Sequence, residues 1–290
     1  MSVKRREFVA IYQVEMNNPN GDPLADNMPR MLSEEDVLLV SDVRIKRTIR
    51  DQLLQDGECI FVRPIQDNKG KFLSLEQRYM QPDVGGTKKD DYETVKEKIL
   101  KCIDIRLFGI TLAMKSQNMA LTGPVQMSWG KSLHKVDPKL MQISSSYSSS
   151  NSGNQTTLGT IWKVPYVMIA VYGVVNNYLA EETGMTEEDY YKMKEAWRKG
   201  TLNLISHSKI GHKPLAWFEV EWEDGYDGYI GTMYNRMTLK QGEEILTDKY
   251  LTSPPKRSIV EMDLTGIPEK YKIHIDLYDK YILSDIIIKK

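Results

Sequence analysis

The sequence has no excess of charge of either sign. Its 39 lysines and arginines are balanced by 40 aspartates and glutamates, which gives a formal net charge of −1. A protein that binds nucleic acid without partners is usually strongly basic, so this balance argues against a free-standing RNA chaperone. Any cationic surface must be local, as in a subunit that packs against partners while it holds a polyanion on one face.

Cysteines and long apolar runs are also scarce. Cys59 and Cys102 have no neighbouring cysteine or histidine at the spacing of a zinc site, and two cysteines are too few for a disulfide framework. The longest apolar run, 164–175, is too short to span a bilayer. Residues 1–10 lack the apolar core of a signal peptide. We therefore expect a cytoplasmic, reduced protein that does not enter a membrane.

The spacing of apolar residues predicts an α+β fold. Apolar side chains alternate in the predicted strands and recur at helical spacing in the predicted helices. In chain order, the predictions are a strand over 7–16, a helix from Ser41 to about Gly57, a strand over 121–130 with a turn at Gly123–Pro124, a strand over 164–175, a helix capped by Thr186, and strands over 215–222 and 272–277. This order fits a ferredoxin-like sandwich with helices on one face of an antiparallel sheet, a plan that RNA-recognition modules share.

The most informative segment is the turn-rich stretch 17–30 together with the helix that follows it. Backbone N–H groups in glycine-containing turns form anion-binding nests. Ser41 is expected to cap the helix, one side of which carries four cations. These are Arg44, Lys46, Arg47 and Arg50. The three arginines lie about one turn apart and can follow successive phosphates. The alternative is a charged face that meets only water.

Two polar stretches interrupt the pattern. Residues 66–95 are polar and glycine-rich, and they are predicted to form an insertion. Residues 139–160 have too few apolar side chains to offset the ordering of their backbone, so they predict a long flexible loop. Loops of this length are usually functional or disordered. Met141 and Leu158 at its margins could press between bases as apolar wedges, or simply anchor the loop to the core.

Catalytic and metal-binding patterns have little support. Asp22 and Asp26 could serve an RNA cut, but aspartate in an Asn-Gly-Asp-Pro turn more often caps the backbone. His207 and His212 lie on either side of Lys209. A metal would need a third ligand, and acid–base catalysis would need a partner within hydrogen-bond reach. A polar loop that touches RNA is the simpler interpretation, so we assign no catalytic residue, no metal and no cofactor.

Five blocks of the sequence resemble the Cas-seven family, the backbone subunit of CRISPR Cascade complexes. The blocks are NPNGDPLADNMPR, SDVRIKRTIRD, DIRLFG, LTGPVQMSWGKSLHKV and VPYVMIAVYGVVN. They occur in this order over the first two-thirds of the chain and are most similar to the type I-B branch. The last third resembles the family only in its general pattern.

The resemblance implies a single elaborated domain over 1–290 with a ferredoxin-like (RRM-like) palm, fingers at about 58–105 and a thumb loop at about 136–160. Copies would stack head to tail along one guide RNA, with other Cascade subunits at the filament ends and along its belly. Each copy would hold the sugar–phosphate backbone and present the bases for pairing with target DNA in antiviral defence. This protein would not be an enzyme. The alternative is an RNA endonuclease that cuts target RNA or processes the guide through Asp22, Asp26 or His207.

The resemblance also places the RNA path along the early turn, the basic helix and two later segments. The predicted RNA-binding residues are Asn18, Asn20, Arg30, Ser41, Arg44, Lys46, Arg47, Arg50, Lys131, Met141, Ser208 and Lys209. Met141 is the candidate wedge of the thumb, and Tyr147 is its rival.

Overall fold

The computed structural model describes residues 2–114, 118–145, 157–206 and 209–290. Within them, the strands are β1 (Arg6–Asn17), β2 (Gly21–Asp22), β3 (Met28–Pro29), β4 (Met31–Leu32), β5 (Val37–Val40), β6 (Gly109–Ala113), β7 (Asn118–Thr122), β8 (Val125–Met127), β9 (Gly130–Ser132), β10 (Lys139–Ser145), β11 (Thr157–Val175), β12 (Lys213–Trp222), β13 (Met237–Gln241), β14 (Glu244–Ile245), β15 (Ser258–Asp263), β16 (Tyr271–Leu277) and β17 (Leu283–Lys289). The helices are α1 (Asp42–Gln55), α2 (Leu75–Tyr79), α3 (Tyr92–Ile99), α4 (Ile103–Phe108), α5 (Asn177–Thr183) and α6 (Glu187–Leu202), with a 3₁₀ turn at Met233–Arg236. Among the described helices, none combines the length and the hydropathy that a bilayer crossing requires.

A large antiparallel sheet forms the centre of the protein. Its strands follow the order β16-β12-β1-β11-β9-β5-β4, and β8 and β10 also pair with β11. The central strand β1 is buried on both faces over most of its length, although its sequence predicts that the face with Val9 and Ile11 turns polar toward the end of the strand. Phe8, Ala10 and Tyr12 contact the helical layer, whereas Val9 and Ile11 belong to the core on the opposite face.

Helices α1 and α6 cover one face of this sheet. Ser41 caps α1 by accepting the Arg44 N–H at 3.3 Å, and Thr186 and Asp189 cap α6 reciprocally, so both predicted helix starts are confirmed. The two helices pack closely because residue 200 is glycine: a Cβ there would lie 2.8 Å from the Thr48 carbonyl oxygen. This packing fixes the position of α1 beside the end of β1.

The opposite face is covered by a second sheet, which the sequence analysis did not predict. Its strands follow the order β14-β13-β15-β17. They bury an apolar cluster against the outer face of β1, β11 and β12, with Val260, Met262 and Ile286 among its members. The expected arrangement, with helices on one face and no other layer, was therefore incomplete. The apolar residues Val9 and Ile11 already required a cover on that side.

Three polar segments are more ordered than predicted. Residues 17–40 contain the short strands β2 to β5, and the 66–95 stretch contains α2 and α3. The predicted loop 139–160 is a strand ladder at both ends, with Lys139 opposite Lys163 and Gln142 opposite Thr160. Cross-strand hydrogen bonding compensates there for the lack of apolar side chains. Residues 146–156, with the candidate wedge Tyr147, lie outside the described residues.

The inserted segment, at about 58–105, has an apolar core of its own. Phe61, Val95 and Ile99 are buried in it, together with Cys102. Contrary to the expectation of reduced cysteines, the structure joins Cys59 and Cys102 in a disulfide, with their Cα atoms 4.5 Å apart. The disulfide thus joins the two ends of the segment to each other.

Candidate nucleic-acid interface

Asparagine side chains build the turn between β1 and α1. Asn20 Oδ1 accepts the Ser41 N–H at 2.7 Å, and the Asn20 carbonyl accepts the Arg30 N–H at 3.2 Å. Asn18 Nδ2 donates to the Asn27 carbonyl at 2.6 Å. Asn18 and Asn20 were predicted to bind RNA. In the structure Asn18 holds the turn together, and Asn20 connects it to the start of α1. The Asn18 Oδ1 atom is buried and has no hydrogen-bond partner.

Five of the predicted RNA-binding cations already bind a carboxylate of the same chain. The pairs are Arg30–Asp22 at 2.9 Å, Lys46–Asp42 at 3.1 Å, Arg47–Asp51 at 2.7 Å, Arg50–Asp104 at 3.1 Å and Lys131–Glu35 at 2.9 Å. A phosphate would have to compete with these partners. Arg50 is the extreme case, because its side chain is 13% exposed, Asp104 is fully buried, and the guanidinium lies 5.0 Å from the centre of the Phe108 ring. Arg50 points into the protein rather than toward a ligand.

Arg44 and Lys209 have no such partner among the carboxylates of the described chain. Arg44 Nη1 donates to Thr48 Oγ1 at 2.7 Å, and Arg44 Nε is buried without an acceptor. Burial lowers the pKa of Arg44. Burial and then the charge of Arg44 lower the pKa of Lys209. Two cations that repel each other, with Asp51 acting on Arg44 only from beyond ion-pair distance, form a site that an anion would stabilise.

Lys163 adds a third cation that the sequence analysis missed. Its Nζ donates to Asn17 Oδ1 at 2.9 Å, and Asn17 Nδ2 in turn donates to the carbonyl of Ile210, the residue after Lys209. No ion pair of Lys163 occurs within the described ranges. The sequence places Lys163 directly before the apolar run 164–175, and this was the signal available for finding it. In the structure it lies within β11, next to Val164, which pairs with Asn17. We call Arg44, Lys163 and Lys209 the cation cluster.

His212 lies beneath the cation cluster and is 3% exposed. Within the described ranges, neither of its ring nitrogens has a hydrogen-bond partner. Burial, followed by the charges of Arg44 and Lys209, lowers the pKa of His212 to about 3, so the imidazole is neutral at pH 7. It lines a cavity of about 20 Å³ together with Tyr12, Arg44 and Thr48.

The remaining predicted residues are less informative. Met141 lies on β10 opposite Ile161 and is half-buried. Ser208 and the alternative catalytic residue His207 lie outside the described residues. Asp22 binds Arg30 and also accepts the Leu24 N–H at 3.1 Å, which is the backbone-capping role expected for this turn.

One group within the described ranges brings metal-ligating side chains together, namely Glu219, Glu221 and His274. Arg6 binds both of these carboxylates, at 2.9 Å and 2.8 Å. Because the guanidinium already neutralises them, we assign no metal to this group.

Comparison with known proteins identifies the family. The profile of the family described as CRISPR-associated protein Cas7 matches residues 4–259. The chain belongs to the Cas7 family. A "CRISPR-associated protein Cas7" from Haloferax volcanii is 26% identical over 314 aligned positions, which cover 98% of this chain and 92% of the relative. The Cas-seven resemblance seen in the sequence is thus confirmed, whereas its assignment to type I-B stays a prediction.

The fold of this Cas7 protein also occurs in a solved structure. A chain of a "CRISPR RNA-guided surveillance complex, pre-nicking" superposes with a TM-score of 0.51 at 13% identity, over 78% of this chain and 80% of that one. The mixed α+β architecture with a large antiparallel sheet is therefore shared between the two.

The buried histidines of Cas7 predict how its stability depends on pH. His134 accepts the Met168 N–H at 3.1 Å and lies 2.8 Å from the Lys135 carbonyl through its other nitrogen, and burial lowers its pKa to about 4. His212 has a pKa of about 3. In the unfolded chain both bind a proton near pH 6.5. The unfolded state therefore binds more protons between about pH 6.5 and pH 4, and the free energy of unfolding falls as the pH is lowered through that range.

Chemical denaturation of the free protein at a series of pH values measures this dependence. Each histidine contributes a slope of at most about 1.4 kcal/mol per pH unit. We expect His212→Phe to remove its share of the slope. An unchanged slope in this variant would show that His212 is not held neutral in the folded protein.

Proposed function

We propose that this Cas7 protein is a non-catalytic backbone subunit of a CRISPR Cascade effector and holds the guide RNA by its sugar–phosphate chain. The cation cluster is the observation that carries this proposal, since Arg44 and Lys209 have no carboxylate partner in the described chain. Phosphate is the same on every nucleotide, so such a site accepts any guide sequence. Watson–Crick pairing between the guide and target DNA then supplies the sequence specificity in antiviral defence.

We propose a ferredoxin-like palm built from β1, α1, β9, β11, α6 and β12, which follow each other as strand, helix, strand, strand, helix and strand. The fingers would be the inserted segment at about 58–105, and the thumb at about 136–160 would extend from the β10–β11 ladder. Copies would associate head to tail in the cytoplasm into an open helix along the guide, because a heterologous contact that does not close into a ring continues indefinitely. Other Cascade subunits, here of the type I-B branch, would cap the ends and line the belly.

The alternative function, RNA cleavage through Asp22, Asp26 or His207, has less support. The Asp22 carboxylate is occupied by Arg30 and by the N–H of Leu24. Asp26 has a positive φ of 48° within the turn, which is typical of a residue that shapes the backbone. The Asp22 carboxylate is therefore not free to activate a nucleophile.

Purification of the protein from cells that also express a CRISPR array and the companion subunits tests this proposal. We expect the assembly to contain RNA of uniform length and several copies of this chain, as measured by native mass spectrometry. Incubation with RNA complementary to the guide should leave that RNA intact. An assembly without nucleic acid would contradict the proposal, and so would regularly spaced cleavage that Asp22→Ala or Asp26→Ala abolishes.

A further inference from the structure

The small cavity beside the cation cluster contains a polar group with nothing to bind. His212 is 3% exposed, and both of its ring nitrogens are without a hydrogen-bond partner among the residues that the structure describes. Leaving a buried polar group unpaired is costly, and most such groups in proteins are satisfied. The other histidine buried in the core, His134, has contacts for both of its nitrogens. The imidazole therefore has hydrogen-bonding capacity available to a group that enters this cavity.

The charge state of His212 restricts the chemistry of that atom. Burial and the neighbouring charges of Arg44 and Lys209 keep the ring neutral at pH 7. A neutral imidazole has one N–H donor and one nitrogen acceptor, so it matches a group that both accepts and donates a hydrogen bond. A phosphate oxygen at neutral pH only accepts, and the cation cluster provides better partners for it. A hydroxyl group can donate a hydrogen bond to the unprotonated nitrogen and can accept one from the N–H of the other.

The size and lining of the cavity restrict the ligand further. Its volume of about 20 Å³ suits a group as large as a water molecule. Arg44 lines the same cavity, so a group bound there lies next to an anion held by the cation cluster. The hydroxyls of Thr48 and Thr201 already donate to the carbonyls of Arg44 and Trp197 within their own helices. His212 and Arg44 Nε thus both line this cavity with free hydrogen-bonding capacity within the described ranges, and of the two only the neutral imidazole can also accept a hydrogen bond.

We propose that His212 binds the 2′-hydroxyl of a guide ribose whose phosphate is held by the cation cluster, and so makes the subunit select RNA over DNA. The 2′-hydroxyl is both donor and acceptor and is the group that distinguishes the two nucleic acids. This inference rests on the proposed function, because it requires a nucleic-acid backbone at Arg44 and Lys209. It adds a sugar-specific contact that phosphate binding alone does not supply.

Titration of the full chain with three oligonucleotides of one sequence tests the inference without any variant. The probes are RNA, DNA and RNA with 2′-O-methyl groups, each followed by fluorescence anisotropy. We expect the wild type to bind RNA roughly three- to tenfold more tightly than DNA for each occupied site, as the loss of a hydrogen bond to a buried group implies. The methylated RNA should bind as weakly as DNA, because a methoxy group is too large for the cavity and cannot donate. Equal binding of all three probes would overturn the inference.

Three variants extend the test. His212→Phe should abolish the preference by weakening RNA binding to the level of DNA, whereas His212→Gln, which keeps a donor and an acceptor, should retain part of it. Lys209→Ala should weaken RNA and DNA alike and leave their ratio unchanged. A preserved RNA preference in a folded His212→Phe variant would contradict the role of His212 and leave the proposed function intact. If the wild type bound neither RNA nor DNA, the proposed function itself would fail.

Discussion

Replacement of Arg44 by alanine is expected to weaken the binding of unrelated single-stranded RNA sequences roughly ten- to a hundredfold at physiological salt. A hydrogen bond to a charged group is worth about 1.5–3 kcal/mol, and Arg44 forms no ion pair in the described chain, since Asp51 acts on it only from a longer distance. In the wild type, the Thr48 hydroxyl donates to the backbone carbonyl of residue 44 at 3.2 Å. The variant keeps this bond, because it keeps the backbone. The substitution therefore removes a ligand for phosphate without leaving a new unsatisfied group in the protein.

The dependence on salt separates this effect from a change in sequence recognition. For single strands, log affinity decreases linearly with log salt concentration, and the slope becomes shallower by about 0.7 for each phosphate contact that is lost. We expect this reduction for every RNA sequence tested, measured by fluorescence anisotropy over a range of salt concentrations. Weakening that depends on the base sequence would argue that Arg44 contacts bases.

Arg47→Ala is the matched control, because Arg47 lies on the same helix and carries the same charge. Its guanidinium binds Asp51 at 2.7 Å and is 51% exposed, so a phosphate would have to displace that carboxylate. We expect a loss of affinity of less than about threefold, because Asp51 already offsets the charge of Arg47 in the free protein. Equal losses in the two variants would show that pairing within the chain does not decide which cations bind RNA.

The parts of the fold that were predicted correctly are those with a local periodic signal. Strand β1 alternates Phe8, Ala10 and Tyr12 with Val9 and Ile11, and both sets are buried on the predicted faces. Helix α1 has its apolar residues at helical spacing and begins after the predicted cap Ser41. Such patterns depend on neighbouring residues alone, which is why they can be read without the tertiary structure.

The candidate site was predicted less well because its electrostatics depend on distant residues. Arg50 and Asp104 are 54 positions apart in the sequence, and Lys131 and Glu35 are 96 apart. A run of cations in a sequence does not reveal which of them will meet a carboxylate after folding. Lys163 was missed for the same reason, since it joins the site only through the pairing of β1 with β11 and the contact with Asn17. The second sheet also went unpredicted, because its strands are short and lie in the part of the chain with the weakest sequence signals.

Replacement of Asp104 by alanine is expected to lower the free energy of unfolding by about 3–5 kcal/mol, the usual cost of breaking a buried ion pair from one side. Asp104 is fully buried at the start of α4. Its carboxylate accepts the N–H groups of Phe61 and Val62 at 2.8 Å and 2.9 Å, and Arg50 Nε at 3.1 Å. The variant leaves two backbone donors and one guanidinium without a partner. Chemical denaturation followed by circular dichroism measures the loss.

Asp51→Ala provides the comparison for this stability effect, because it also removes the carboxylate partner of an α1 arginine. Asp51 is 47% exposed, and its pair with Arg47 should contribute below about 1 kcal/mol. Arg50→Ala should resemble Asp104→Ala in stability and should leave the salt slope of RNA binding unchanged, because Arg50 is directed at Asp104. If Arg50→Ala instead lost RNA affinity and kept the stability of the wild type, Arg50 would be a phosphate ligand, as the spacing of the basic helix originally predicted.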